Sequence, residues 1–185
     1  MINHGHTDRT GRPVTLHEVD ADNWRAVADS APRDDQRDWV PALAARYLLL
    51  SSREDTWTSL AVLAGDQVTG HIMWARDEED GAYWIGGMLI DAAHQGTGIG
   101  AAAVRTLAAW LAAREDSTAV RLSYAPANRA AAHLYTALGF RPTGVEEDGE
   151  VVAELNFRCT SRSYGSRSSW RMKRGRGPEP ADAAS

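Results

Sequence analysis

Residues 94–104 read HQGTGIGAAAV. Gly96, Gly98 and Gly100 alternate with Thr97 and Ile99, and an alanine-rich run follows. Small residues at this spacing let successive backbone N–H groups converge on one anion at a helix start, where the helix dipole adds to the attraction. What surrounds the turn narrows the choice of anion. A triphosphate loop needs a lysine for the terminal phosphates, and the only lysine is Lys173, far along the chain. Gly96, Gly98 and Ala101 formally match a dinucleotide fingerprint, which also requires an acid at the end of the next strand to hold the ribose. That strand ends in Ser123-Tyr124, and Glu115 and Asp116 come before it. A pyrophosphate seat made of backbone remains, with a bare turn into a helix as the plain structural alternative.

The other reactive side chains do not group. His17, His71, His94 and His133 lack paired ligand spacing, so no metal is expected. Cys159 is the single cysteine; it rules out an internal disulfide and has no evident base beside it. The stretch ANRAAAHLYTALGF (127–140) puts Tyr135 on an amphipathic helix that Asn128 would cap. By spacing alone, Tyr135 is a core aromatic.

These residues need a scaffold. VTLHEV (14–19) alternates and predicts a first strand. A helix is predicted in 20–30, with Asp20 or Asp22 as cap and Trp24, Val27 and Ala28 on one face. A second is predicted in 32–54, with Pro41 near its first turn. Residues 56–64 and 67–76 flank Gly65-Asp66 as a hairpin. AYWIGGMLID (82–91) is a third long strand, in which Gly86-Gly87 marks a bulge or a close backbone approach. The glycine turn then feeds a helix to about Arg114, with Val104, Leu107 and Leu111 at core spacing. A strand (118–125), the helix of 127–140 closed by Gly139, and a hairpin about Asp148-Gly149 complete the domain. The predicted class is α/β (α+β): a mixed, mostly antiparallel sheet flanked by helices, in the order β-α-α-β-β-β-α-β-α-β-β.

The predicted organisation is a flexible lead (1–12), one domain (13–157) and a basic Ser/Arg/Gly/Pro-rich tail (158–185) expected to be disordered. A chain of 185 residues, 43% hydrophobic, can bury a substantial core. No apolar run approaches the roughly 20 residues of a membrane span, and no signal stretch opens the chain. A cytoplasmic protein with no membrane partner is expected. Residues 14–157 carry 22 Asp/Glu against 11 Arg, a net of −11, whereas 158–185 net +5. An acidic domain of this kind repels nucleic acid and attracts cations.

Gln95-Gly96-Thr97-Gly98-Ile99-Gly100 resembles the Gln/Arg-x-x-Gly-x-Gly/Ala motif of the GCN5-related N-acetyltransferases. Asn128, Ala131, Leu134, Tyr135, Leu138, Gly139 and Phe140 resemble that family's second signature, and the strand order is also the family's. Within the family, the stretches 22–24, 83–91, 95–100 and 122–135 are similar to bacterial spermine/spermidine acetyltransferases. The resemblance implies acetyl-CoA as co-substrate, its pyrophosphate on residues 95–100 and its pantetheine arm along the backbone of Met88, Leu89 and Ile90. It implies an N–H near Leu89 or Ile90 as donor to the thioester oxygen, Asn128 as a further cofactor contact, and Tyr135 as the general acid that protonates the leaving thiolate. The implied reaction is direct acetyl transfer, in a ternary complex, to a primary amine of a small cationic acceptor such as spermidine. An antibiotic amine, a protein N-terminus, or a non-catalytic acyl-CoA-binding role are the alternatives, and a homodimer is left open. No base for the amine is identified; Glu18, Asp34, Asp35 and Asp38 qualify only because their segments would border the acceptor cleft.

Overall fold

The computed structural model describes residues 1–155. Its strands are β1 (Val14–Glu18), β2 (Thr58–Ala64), β3 (Gln67–Arg76), β4 (Tyr83–Ile90), β5 (Val120–Tyr124), β6 (Arg141–Glu147) and β7 (Glu150–Leu155). They form one sheet in the order β1-β2-β3-β4-β5-β7-β6. Helices α1 (Trp24–Ala28) and α2 (Ala45–Arg53) lie between β1 and β2, α3 (Ile99–Ala112) joins β4 to β5, and α4 (Arg129–Ala137) joins β5 to β6. This is the predicted order and class. All neighbouring strands are antiparallel except β4 and β5, and a parallel pair requires a crossover, here α3.

The turns follow local chemistry. β2 and β3 close across Gly65-Asp66, with Gly65 at positive φ. β6 and β7 close across Asp148-Gly149, both at positive φ, as a tight two-residue hairpin demands. On α3, Val104, Leu107 and Leu111 are fully buried on the sheet, each contributing about 1.5–3 kcal/mol of apolar burial.

The first helices differ from expectation. Asp20 does not cap α1; its carboxylate accepts from the N–H groups of Asp22 and Asn23 ahead of the helix, whose first flanking residue is Asn23. Val27 is buried on α1, whereas Trp24 is 43% exposed. Pro41 precedes α2 by several residues instead of opening it. A single 3-10 turn, Asp34–Gln36, occupies part of that segment.

Residues 1–12 form isolated backbone bridges and a carboxylate-centred turn. Ile2 exchanges two backbone hydrogen bonds with Leu16, and Thr7 bridges Pro13. Asp8 is buried and accepts hydrogen bonds from Thr10 and Arg12. Isolated bridges and a carboxylate-centred turn leave no periodicity to read in a sequence. The predicted tail at 158–185, with Cys159, lies outside the described residues. No helix among the described residues is long and apolar enough to cross a membrane.

Candidate active site

The site begins where the sheet comes apart. β4 pairs with β5 only at Tyr83–Val120, Trp84–Arg121 and Ile85–Leu122, yet β4 continues to Ile90. Residues 86–90 therefore leave a ladder edge open toward β5. On the other side, His71 pairs with Leu89 and Met73 with Gly86, so Ile72 faces both Gly87 and Met88. This is the predicted bulge. Gly87 has φ +51°, and a Cβ there would lie 2.9 Å from Met73 Sδ. The positive φ favours glycine, whereas the contact is with the flexible end of Met73, which could shift. A hydrogen bond of 2.7 Å joins the Gly87 carbonyl to His71 on the β3 side. The peptide is trans, so the Met88 N–H points the opposite way, away from His71. The bulge thus offers Met88 as a donor, one or two residues before Leu89 and Ile90.

The glycine turn lies just beyond β4. Gly96 and Gly98 both have positive φ, and Gly98 is the N-cap of α3. Hydrogen bonds hold the turn from behind. Gln95 Nε2 donates to the Ile90 carbonyl and to Gln36, and Thr97 Oγ1 donates to the His94 carbonyl. The Arg9 backbone N–H donates to the Thr97 carbonyl at 2.8 Å, and its guanidinium donates to the Gly96 carbonyl at 3.0 Å. The Gly96 and Thr97 carbonyls are thus committed to Arg9, and N–H groups at a helix start are of the kind that can meet an anion.

Asn128 caps α4 by accepting from the Ala131 N–H. Tyr135 is buried, packed between Tyr124 and Phe140 at centroid distances of 5.8 and 6.1 Å. Burial pushes its phenol up, and the neighbouring Tyr47 and Glu150 push it further. It therefore holds its proton at neutral pH and can release it only to a strong base in contact, such as a desolvated thiolate.

Two cavities meet here. One, of about 390 Å³, is lined by Met88, Leu89, Ile90, Gln95, Gly96, Ile99, Gly100, Asn128 and Tyr135, which are all the predicted site residues except Thr97 and Gly98. Those two do not line it; a Cβ on Gly98 would come 3.1 Å from Arg9 Cγ. Leu89 and Ile99 are buried in the core, which leaves mainly their backbone for a ligand. The second cavity, of about 520 Å³, shares Met88, Asn128 and Tyr135 and adds Tyr47, Trp57 and Glu150. Its charged lining is mixed: Asp38 and Glu150 against Arg37, Arg46 and Arg53.

Glu150 is the residue that sequence reasoning missed. The Ser123 hydroxyl donates to it at 2.6 Å, which places its carboxylate between β5 and β7 and on the cavity wall that holds Tyr135. Of the acids named from sequence, Asp34 pairs with Arg37 and Asp35 with Arg33. Glu18 ends β1 away from both cavities, and Asp38 alone lines the second. Asp91 accepts from the Ala31 and Ala93 N–H groups, a structural duty.

The model of the acetyltransferase (GNAT) family matches residues 14–140. Among solved structures, the aminoglycoside acetyltransferase AAC(6')-Ib with coenzyme A and kanamycin is similar at 21% identity and a TM-score of 0.65, over 78% of this chain and 95% of that one. The GNAT domain of S. lividans PAT is similar at 22% identity and a TM-score of 0.63, over 82% and 95%. Mycobacterium smegmatis RimJ with CoA-disulfide is similar at 16% identity and a TM-score of 0.62, over 80% and 84%. None of the curated proteins matches by sequence.

Proposed function

The chain belongs to the acetyltransferase (GNAT) family, and from that premise we propose that it transfers acetyl from acetyl-CoA directly to a primary amine of a small cationic acceptor. Membership makes it an N-acetyltransferase with acetyl-CoA as co-substrate. One observation carries the rest: the open edge of β4 runs from the glycine turn to Tyr135, where the two cavities join. That arrangement suits a donor on one side of Met88 and an acceptor on the other.

In this reading the turn holds the pyrophosphate through its N–H groups and β4 aligns the pantetheine arm. The acceptor must be a free amine to attack, and Glu150 is the carboxylate placed to take its proton. As the N–C bond forms and the C–S bond breaks, the Met88 N–H faces the charge that grows on the thioester oxygen. The Tyr135 O–H then supplies the proton to sulfur. Asn128 keeps α4, and with it Tyr135, in place.

We take a polyamine as the first acceptor, because the acidic domain concentrates cations at its surface and Glu150, on the same cavity wall as Tyr47 and Trp57, suits one ammonium. An aminoglycoside amine is the second reading, favoured by the volume of the second cavity, about 520 Å³, and by the kanamycin complex of the similar enzyme. Thiol release from acetyl-CoA in the presence of spermidine, kanamycin or a peptide N-terminus separates them. Turnover with spermidine is expected. Release with none of them, alongside tight CoA binding, would leave a non-catalytic acyl-CoA-binding domain.

A further inference from the structure

Building on that transfer reading, we propose that His71 is a positioning residue for acetyl transfer, which locks the peptide at the β4 bulge and couples it to the acceptor wall. His71 is wholly buried in the middle of β3 and lines neither cavity. Its Nδ1 is 2.7 Å from the Gly87 carbonyl oxygen, and its Nε2 is 2.9 Å from the Ser59 hydroxyl. A carbonyl only accepts, so Nδ1 carries the proton and Nε2 accepts from Ser59. Ser59 in turn lies 2.7 Å from the hydroxyl of Ser51 on α2. The imidazole also lies flat on Tyr47 of α2, 5.3 Å between centroids and 8° between planes. Two side chains of the acceptor helix thus reach the bulge through one ring.

The bulge needs such a lock. Gly87 and Met88 have no partners in the β3 ladder, and the β5 ladder has already ended. Glycine at positive φ lets the Gly87–Met88 peptide rotate at little steric cost. A half-turn of that peptide would exchange the Met88 N–H for the Gly87 carbonyl, presenting an acceptor where the thioester oxygen needs a donor. With His71 in place, the half-turn strands a buried imidazole N–H, which disfavours it. Burial pushes His71 down to about 4, despite the Gly87 hydrogen bond that pulls it up, so the ring stays neutral with one donor and one acceptor.

The test compares His71→Leu, His71→Asn and Ser59→Ala for kcat per folded site and for the KM of acetyl-CoA, with 15N NMR of the wild-type imidazole. The expected spectrum is that of the Nδ1–H tautomer. His71→Leu should lower kcat about tenfold or more with a much smaller change in KM, since a misaimed donor costs rate before it costs binding. His71→Asn, whose amide N–H replaces Nδ1–H, should restore most of the rate. Ser59→Ala, which leaves the Nδ1–H donor in place, should lower kcat less than His71→Leu. A purely structural role would lower Tm and leave kcat per folded site unchanged. Wild-type kcat in His71→Leu, equal loss in His71→Asn, or an Nε2–H tautomer overturns the role. Should His71→Leu not fold, His71→Met, which also lacks the N–H, takes its place: a tenfold loss of kcat per folded site beside near-wild-type His71→Asn supports the role, and wild-type kcat in His71→Met removes it. A wild-type chain that acetylates no amine overturns the transfer reading itself, a result distinct from failure in the variants.

Discussion

At the glycine turn, which we read as the cofactor seat, the turn itself offers a ligand mainly main-chain groups, while Arg33, Asp35 and Arg129 line the same cavity. Gly96, Gly98 and Gly100 offer no side chain, and Leu89 and Ile99 have theirs in the core. Behind the turn, Gln95, Thr97 and Arg9 tie down the carbonyls. The acceptor side is built the other way. Tyr47, Trp57, Asp38, Glu150 and the arginines of α2 present side chains from segments far apart in the chain. A surface that must grip one invariant group can be made of backbone held in a fixed shape. A surface that must choose among amines needs side chains, which can change without disturbing the fold.

The largest loss comes from touching the backbone-built side. Gly98→Val forces a β-branched residue to φ +91° and drives a Cβ against Arg9. Left-handed backbone alone costs about 1–2 kcal/mol, and the turn would relax out of shape. Calorimetry should show acetyl-CoA affinity falling by about a hundredfold or more. Tight binding by Gly98→Val would mean that the turn does not seat the cofactor. Next comes the junction of the two sides. Tyr135→Phe keeps the packing against Tyr124 and Phe140 and removes only the hydroxyl. It should lower kcat about a hundredfold, the low end for a general acid, with acetyl-CoA affinity unchanged. An undiminished kcat would remove the phenol from the mechanism.

The two sides also differed in how well they could be read. The turn and the Asn128–Tyr135 helix are contiguous stretches whose local backbone sets their residue types, so their pattern shows in the chain. Gly86-Gly87 announced the bulge for the same reason. Glu150 could not be found this way. The hairpin about Asp148-Gly149 is legible, but its insertion with β7 next to β5 is a tertiary choice, and only that choice brings Glu150 to Ser123. In the sequence His71 shows only the lack of a paired ligand spacing; the register is what places it opposite the bulge. Arg9 belongs to a segment fastened by isolated bridges, which carry no sequence period.

Glu150 tests the acceptor side directly. Glu150→Gln keeps a hydrogen-bond acceptor for Ser123 and removes the charge. We expect about a tenfold fall in kcat/KM for the amine and no change in acetyl-CoA affinity. The loss should shrink at high pH, where the acceptor amine deprotonates without help. A fall in acetyl-CoA affinity instead would mean that the two cavities are not functionally separate.

The smallest effects lie in acid, where the sheet and the N-terminal segment should part company. The His71 imidazole titrates near 6.5 in an unfolded chain and is held down to about 4 by burial in the folded one. The folded state favours the neutral ring, so its contribution is complete above about 6.5 and is lost as pH falls through about 4. Asp8 behaves differently. Burial would raise its carboxyl, but hydrogen bonds from Thr10 and Arg12 outweigh this and hold it well below its ordinary 3.8. Its contribution is present above that value and disappears only at lower pH, as the folded carboxyl takes up its proton. A series of denaturant midpoints against pH should therefore show two windows. His71→Asn should flatten the upper window and leave the lower; Asp8→Asn should flatten the lower and leave the upper. Arg9, next to Asp8, braces the glycine turn, so Asp8→Asn should also weaken acetyl-CoA binding slightly at neutral pH. If both substitutions flatten the same window, the bulge and the N-terminal brace are not independent, and the donor side is one unit reaching from Ile2 to Tyr135.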